Sequence, residues 1–392
     1  MAAITFVAGD PSGDAHAAAL IAALARRDPS LTFAGLGGPA MERAGMRLLD
    51  NLTATATIGP FDAARHLSQF VRAKRLLEAH LTEQKPDLVV LVDFGDFNLP
   101  VIAPLAKRHG VRVAYYISPQ LWAWGRFRLR FVRRYVDRMI VLFPFEEAFY
   151  RDAGIPVTWV GHPLIDGARP TMSVAEAREH FGLNPWRRTV GLLPGSRAQE
   201  IRRHLPLLRA AARQIAWHMP GVQFLLPKAP GVQRAQLEAG LGQSGVTTYI
   251  AEGSVYDALQ LMEAAIVASG TATLQTAVAG VPMAVVYRTS WPTYLAGRAV
   301  LRVPHIAMVN VVAGRKVVPE FVQHRAQPKR IAETVVRLLR DERRAARMRA
   351  SLKEIGGKLG PPGAVERAAD AVRQELARAR EGARAPRQSS GR

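Results

Sequence analysis

Cysteine is absent from all 392 residues. That excludes disulfide bonds, thiolate metal sites and a cysteine nucleophile. Metal ligation would fall to His, Asp or Glu, and no HExxH or comparable spacing occurs. No full GxGxxG is present, which leaves a dinucleotide fingerprint unsupported, and no P-loop signature is found either. Acidic residues are scarce: 53 Lys and Arg face 32 Asp and Glu, for a net charge of +21. An excess of that size attracts polyanions, meaning nucleic acid, an anionic membrane surface or phosphorylated substrates. RRM, KH and zinc patterns are lacking, which sets nucleic acid aside as a partner. The opening MAAITFVAGD has no basic region and meets Gly9 and Asp10 too early for a signal peptide.

What is present describes two ordinary globular domains: 392 residues, 48% hydrophobic and 22% charged. The uncharged run from Ala264 to Tyr287 is long enough to span a bilayer. Its Ser, Thr, Gly and Pro divide it instead into a strand (Ala265–Ala268), a loop, a helix (Ala272–Ala279) and a strand (Met283–Tyr287), an element of α/β core.

Strand, glycine turn and helix open the chain: Ile4–Ala8, then Gly9-Asp10-Pro11-Ser12-Gly13-Asp14, then an Ala-rich helix to about Arg27. Phe33–Leu36 reads as a second strand. Phe61 to Leu81 has helical spacing, with Phe61, Ala64, Leu67, Phe70, Val71, Leu77 and Leu81 on one face. Arg65, His66, Arg72, Lys74, Arg75 and His80 flank that face. Such a helix suits a membrane surface or a docked position on a sheet. Leu88–Val92 is continuously apolar, as in a parallel sheet buried on both faces. Asp93-Phe94-Gly95-Asp96 therefore falls at the carboxyl end of a strand, where open α/β sheets place ligands. Further strands are expected at Val111–Ile117, Met139–Phe143 and Val157–Val160, with an Arg-dense stretch at Arg126–Arg138 between the first two.

The second half repeats this logic, with strands at Val190–Leu193, Val222–Leu226, Val246–Ile250, Ala265–Ala268 and Met283–Tyr287. In Thr189–Arg203 a short strand meets Pro194-Gly195-Ser196 and a helix from Ala198. A helix start leaves backbone N–H groups for an anion, and the planar fork of Arg197 can grip paired anionic oxygens. The division expected is 1–166, a linker over 167–188, 189–340, a helical segment over 341–380 that packs back on the first domain, and a disordered basic tail over 381–392.

Two successive α/β domains fit a two-domain glycosyltransferase, and at this level the chain resembles the lipid-A-disaccharide synthases. The matching segments, in the family's order, are AGDPSGD (8–14), GLGGPAM (35–41), VDFGDFN (92–98), YYISPQLWAW (115–124), PFEEAFY (144–150), VTWVGHPLID (157–166), LLPGSRAQE (192–200), ASGTATLQ (268–275) and NVVAGRKVVPE (310–320). Four places depart from the usual pattern: Asp10 and Gln275 stand where the family has Glu, 58–67 is more polar, and MVN (308–310) replaces LPN.

The resemblance implies a GT-B glycosyltransferase fold, α/β with two Rossmann-like domains facing a cleft. It implies transfer from UDP-2,3-diacylglucosamine to 2,3-diacylglucosamine 1-phosphate, giving a β-1,6-linked disaccharide phosphate and UDP. Asp93 is expected as the base, with Asp96 the alternative or an orienting group, and His16 and His162 behind them. Ser196, Arg197, Glu200, Ser269, Gly270, Thr271, Ala272, Thr273, Gln275 and Asn310 are expected around the UDP-sugar. Ser12, Gly13, Asp14, Asn98, Trp122 and His162 are expected around the acceptor. No cofactor or metal is implied. An anionic membrane is the expected partner, at the inner face of the bacterial inner membrane, with room left for a homodimer. The nearest rival is another enzyme of this fold, a UDP-N-acetylglucosamine 2-epimerase or a peptidoglycan-type glycosyltransferase.

Overall fold

The computed structural model describes residues 2–53, 63–242, 245–292, 294 and 304–384, with the side chains of 63–66 and 383–384 outside that set. The chain forms two compact units: Met1–Pro163 with Gly360–Arg392, and Leu164–Leu359.

Unit 1 holds a seven-stranded parallel sheet in the order β3-β2-β1-β4-β5-β6-β7. Its strands are β1 (Ala3–Ala8), β2 (Thr32–Gly37), β3 (Arg47–Asn51), β4 (Leu88–Val92), β5 (Arg112–Tyr116), β6 (Arg138–Val141) and β7 (Val157–Trp159). β1, β4 and β5 are almost wholly buried, as their apolar runs require when helices cover both faces. The edge strand β3, which sequence reasoning passed over, is RLLDN and half-exposed. The helix Ala364–Arg384 belongs to this unit and packs on the helix Pro11–Arg27 and on β4, β5 and β6. Its Glu375 is fully buried and accepts hydrogen bonds from Arg112 at 2.7 Å and Arg138 at 2.6 Å.

Unit 2 holds a six-stranded parallel sheet, β10-β9-β8-β11-β12-β13. It comprises β8 (Thr189–Leu193), β9 (Gln223–Pro227), β10 (Thr248–Ala251), β11 (Ala264–Ala268), β12 (Met283–Tyr287) and β13 (Glu320–Val322). The uncharged run 264–287 forms β11, the helix Thr271–Val278 and β12, the core strand–helix–strand read from its sequence. Among the described residues no helix is long and apolar enough to cross a membrane. The helix Glu342–Lys358 lies in unit 2, and the chain changes unit at Gly360 rather than at Asp341.

The helix read over 61–81 runs Ala63–Gln84. Phe61 and the side chains of Ala64, Arg65 and His66 lie outside the described residues, as does the tail from 385. Ala73, Leu77 and Leu81 are buried, whereas Leu67 is 62% and Val71 42% exposed. His80 does not share the solvated flank: it is buried, 3.0 Å from the Thr5 hydroxyl and 3.3 Å from the Arg47 guanidinium.

Candidate active site

In both sheets the chain runs outward over three strands, then returns to the other side of the first. The reversal lies between β1 and β4 in unit 1 and between β8 and β11 in unit 2. Loops leaving adjacent strands at such a point diverge and leave a crevice at the carboxyl ends. Ala8 pairs in register with Val92, so Gly9-Asp10 and Asp93-Phe94 leave the first sheet together. Leu193 pairs with Val267, so Pro194–Arg197 and Ser269–Thr271 leave the second together.

In unit 1 these exits line a cavity of about 300 Å³ with Asp10, Asp93, Phe94, Gly95, Asp96, Pro119, Gln120, Trp124 and Arg128 on its walls. The backbone of Asp93 and Phe94 is left-handed, with φ of +46° and +51°. Each such non-glycine residue costs roughly 1–3 kcal/mol. The Asp93 carbonyl offsets part of this by accepting from Asn98 Nδ2 at 2.9 Å and Tyr115 Oη at 2.5 Å. Net, such bonds contribute about 1 kcal/mol each. The opposite exit must be glycine: a Cβ on Gly9 would lie 2.1 Å from the Phe94 ring. Asn98 is therefore a fully buried brace.

Asp96 is exposed and its carboxylate is paired with Arg128 at 2.5 Å. The Arg128 guanidinium lies 4.7 Å above the Trp124 ring, which fixes it at the cavity. Asp10 accepts from Gly13 N at 2.7 Å and caps the helix Pro11–Arg27. Asp14 is buried and accepts from the backbone N–H groups of Gly38, Ala40 and Met41, each at 3.0 Å, so it holds the loop after β2. Ser12 is exposed in the first helical turn.

Trp122 Nε1 donates to Glu146 Oε1 at 3.2 Å, and Glu146 Oε2 accepts from the backbone of Leu142 and Phe143. Burial pushes the Glu146 carboxyl up to about 7, against the pull of those three donors, with the charge of Asp93 adding to the rise. Burial and the neighbouring His16 drive His162 down to about 3, and burial lowers His16 despite Asp10. Both imidazoles are therefore neutral at ordinary pH, and His162 packs on the Phe143 ring at 5.3 Å.

In unit 2 the turn after β8 is glycine-built, with Gly195 at φ +112°. Two of its N–H groups are already used: Ser196 N and Arg197 N donate to Glu200 Oε2 at 3.0 and 3.3 Å. The Arg197 guanidinium meets Glu200 Oε1 at 3.1 Å while its side chain stays exposed. A solvated pair of this kind contributes little, about 0–1 kcal/mol, so an incoming phosphate can take the guanidinium over. Ser269 Oγ donates to Ile306 O at 2.9 Å. Gly270, at φ +155°, caps the helix Thr271–Val278, and its carbonyl accepts from the Thr273 hydroxyl at 2.8 Å. Thr271 is exposed and Ala272 and Gln275 are half-buried at this helix start.

Asn310 is differently employed from a ligand contact. It is fully buried, donates to Val318 O and Glu320 Oε1, and accepts from Val317 N and Val318 N. All four hydrogen-bonding places of its amide are filled. It holds Glu320, whose carboxylate receives Ile306 N and Ala307 N at 3.1 Å each.

Sequence reasoning missed Glu146 and Arg128 as members of this site. Glu146 had a local signal, an acidic residue three positions after the residue preceding the helix Pro144–Asp152. Arg128 had none, one arginine among several.

Residues 4–371 match the family model described as lipid-A-disaccharide synthetase. Curated relatives include the lipid-A-disaccharide synthase of Geobacter sulfurreducens, 44% identical across 95% of this chain and 97% of that protein. That of Myxococcus xanthus is 41% identical, with the same two coverages. Among solved structures, the UDP-GlcNAc 2-epimerase from Neisseria meningitidis bound to UDP-GlcNAc superposes with a TM-score of 0.64 at 12% identity, covering 96% of this chain and all of that one. The calicheamicin glycosyltransferase CalG4 gives 0.61 at 18%, covering 96% and 99%. These distant likenesses establish the fold, two parallel-sheet α/β domains of the GT-B kind.

Proposed function

The chain belongs to the lipid-A-disaccharide synthetase family and is a glycosyltransferase of lipid A biosynthesis, and from that premise we propose its substrates and the residues that act on them. The donor is UDP-2,3-diacylglucosamine and the acceptor 2,3-diacylglucosamine 1-phosphate. The acceptor's 6-hydroxyl attacks the donor's anomeric carbon from the face opposite UDP. A carbon–oxygen bond forms there, the bond to the UDP phosphate breaks with its electron pair, and the configuration inverts. Asp93 takes the hydroxyl proton. Asp96, held by Arg128, orients the loop.

The charge that grows on the departing β-phosphate is met by Arg197 and by the start of the helix Thr271–Val278, with its N–H groups and the Thr271 hydroxyl. Gln275 reaches the ribose. Ser196 and Glu200 shape the turn that carries Arg197, and Asn310 with Glu320 braces the loop that receives Ser269.

The observation that carries this reading is the pairing of chemistries at equivalent positions: carboxylates at the switch point of one sheet, and an arginine with a helix start at that of the other. The test is UDP release from the acylated donor with acylated and deacylated acceptor. Release is expected only with the acylated acceptor; equal release without acceptor would sink the proposal and revive the epimerase reading.

The acylated acceptor arrives from a membrane, and the residues around the unit 1 cavity suit its surface. Leu67 and Val71 project beside Phe70, whose ring packs on Phe94 and Phe97 at 6.0 and 5.2 Å. Phe127, 63% exposed, has the guanidinium groups of Arg128 and Arg130 5.8 and 6.0 Å from its ring centroid. Exposed apolar tips within a basic field bind anionic bilayers peripherally. The location proposed is the inner face of the bacterial inner membrane. Flotation with phosphatidylglycerol vesicles is expected at low salt and lost at high salt; no flotation at low salt removes the membrane from the reading.

A further inference from the structure

The helix Ala198–His218 carries a histidine that the reaction as described does not use. His204 is 1% exposed. Its Nδ1 lies 3.0 Å from the carbonyl oxygen of Pro194, and its Nε2 lies 3.0 Å from the backbone nitrogen of Arg288. A backbone nitrogen only donates, so Nε2 accepts and the ring proton sits on Nδ1, donated to Pro194. One neutral tautomer satisfies both contacts. The imidazolium does not, since a proton on Nε2 would face the Arg288 N–H.

The two backbone groups it joins matter. Pro194 opens the turn that presents Arg197. Arg288 follows Tyr287, the last residue of β12, and β12 is the neighbour of β11, whose exit is Ser269–Thr271. The link between those exits continues through Ser269 N, which donates to Val286 O at 2.9 Å. His204 thus joins the β8 turn to the strand that seats the opposing exit.

We propose that His204 is a positioning residue for the sugar nucleotide: as its Nδ1–H tautomer it clamps the Arg197 turn to the end of β12, setting the spacing into which the pyrophosphate fits. This deepens the donor-site reading and rests on it. The groups that bear on the ring are Glu200 and Arg203 from its own helix, the Tyr287 ring at the end of β12, Arg288 just beyond it, and the Pro194 carbonyl from the turn. Burial is the largest influence and lowers the imidazole's proton affinity, aided by Arg203 and Arg288 and opposed by Pro194 and Glu200. The clamp is therefore intact at neutral pH and opens on acidification.

The experiment is calorimetric titration of UDP into wild type, His204→Leu, His204→Asn and Arg197→Ala from pH 8 down to the acid limit of the folded state, below the melting temperature of each. His204→Leu keeps the bulk and removes both contacts; at pH 8 it is expected to bind UDP about tenfold more weakly. His204→Asn places an amide N–H near the Nδ1 position and is expected to recover part of that loss. On acidification wild type is expected to weaken more steeply than His204→Leu, whose slope reports the titration of UDP itself.

If His204→Leu does not fold, His204→Asn carries the comparison of slopes. Affinity of a folded variant within twofold of wild type at pH 8 overturns the clamp. The Arg197→Ala arm separates two failures. Loss of UDP binding there with none in His204→Leu refutes His204 alone, whereas normal binding in both removes the donor site from this turn.

Discussion

Two sheets of the same handed order meet one topological problem and answer it with opposite materials. At the switch point of unit 1 the chain turns on Asp93 and Phe94, both left-handed, and crowds Gly9 against an aromatic ring. At that of unit 2 it turns on Gly195 and Gly270, where a left-handed backbone is unstrained. The first arrangement stores strain and holds a carboxylate in a fixed direction, braced by Asn98 and Tyr115. The second keeps a guanidinium exposed on a turn whose N–H groups Glu200 already holds. A group that must take a proton from one oxygen needs aim, and a site that must admit a diphosphate needs room. Strand order alone suggests neither of the two proposed roles; the residues just past the strand ends do.

The sharpest way to break this contrast is Asp93→Asn, which keeps the shape and removes the proton acceptor. Turnover is expected to fall by roughly two to four orders of magnitude with UDP affinity unchanged, the usual span for general-base catalysis. Asp96→Asn should cost less. If it instead loses nearly all activity while Asp93→Asn keeps a third or more, the two carboxylates exchange roles; if neither matters, His16 or His162 comes forward.

A smaller effect is expected in the other unit. Arg197→Ala should weaken donor binding at least tenfold, about 1.4 kcal/mol, so KM rises, and kcat falls with it as the growing phosphate charge loses a partner. A loss confined to kcat would erase the division of labour.

The pH dependence of stability, which leaves the chemistry untouched, sharpens the contrast further. Folding raises Glu146 in unit 1 from its ordinary 4.5 to about 7, so the folded state keeps its proton longer. Its contribution is complete below about pH 4.5 and is lost as pH rises through 7, on the order of 3 kcal/mol in all. Folding lowers His204 in unit 2, so its contribution is complete above about pH 6.5, the ordinary imidazole value, and is lost on acidification. The melting temperature of wild type relative to Glu146→Gln should therefore fall with rising pH, and relative to His204→Leu it should fall with falling pH. Equal slopes would mean that the two buried groups do not differ as described.

Much of this was legible in the chain because buried parallel strands are short apolar runs with glycine or a carboxylate just beyond. Leu88–Val92 and Met283–Tyr287 fall where those runs put them. Two of the four edges, β3 and β13, were not legible. β3 mixes Arg, Asp and Asn with two leucines, and β13 is only three residues, because an edge half in solvent carries no continuous apolar signal. In the site, residue types were readable and employment was not. Asn310 lies in a matching segment, yet its amide is wholly consumed by Val317, Val318 and Glu320. His80 follows the helical flank, yet Thr5, far away in sequence, draws it inside. The left-handed pair at Asp93-Phe94 has no mark in its own residues, since its braces lie five and twenty-two positions downstream.

The helix Ala364–Arg384 completes a unit whose strands come before Pro163, with the whole of Leu164–Leu359 intervening. During synthesis this imposes an order. At roughly 5–20 residues per second, about 10 to 40 s pass between the emergence of β7 and that of the helix. Over that interval the nascent β5 and β6 expose the groove where Glu375 will sit, and Arg112 and Arg138 await their carboxylate. The inserted unit, continuous in the chain, has every strand it needs before the first can close. The ribosome therefore delivers the half assigned to the sugar nucleotide complete, while the half assigned to the acylated acceptor waits for its last helix.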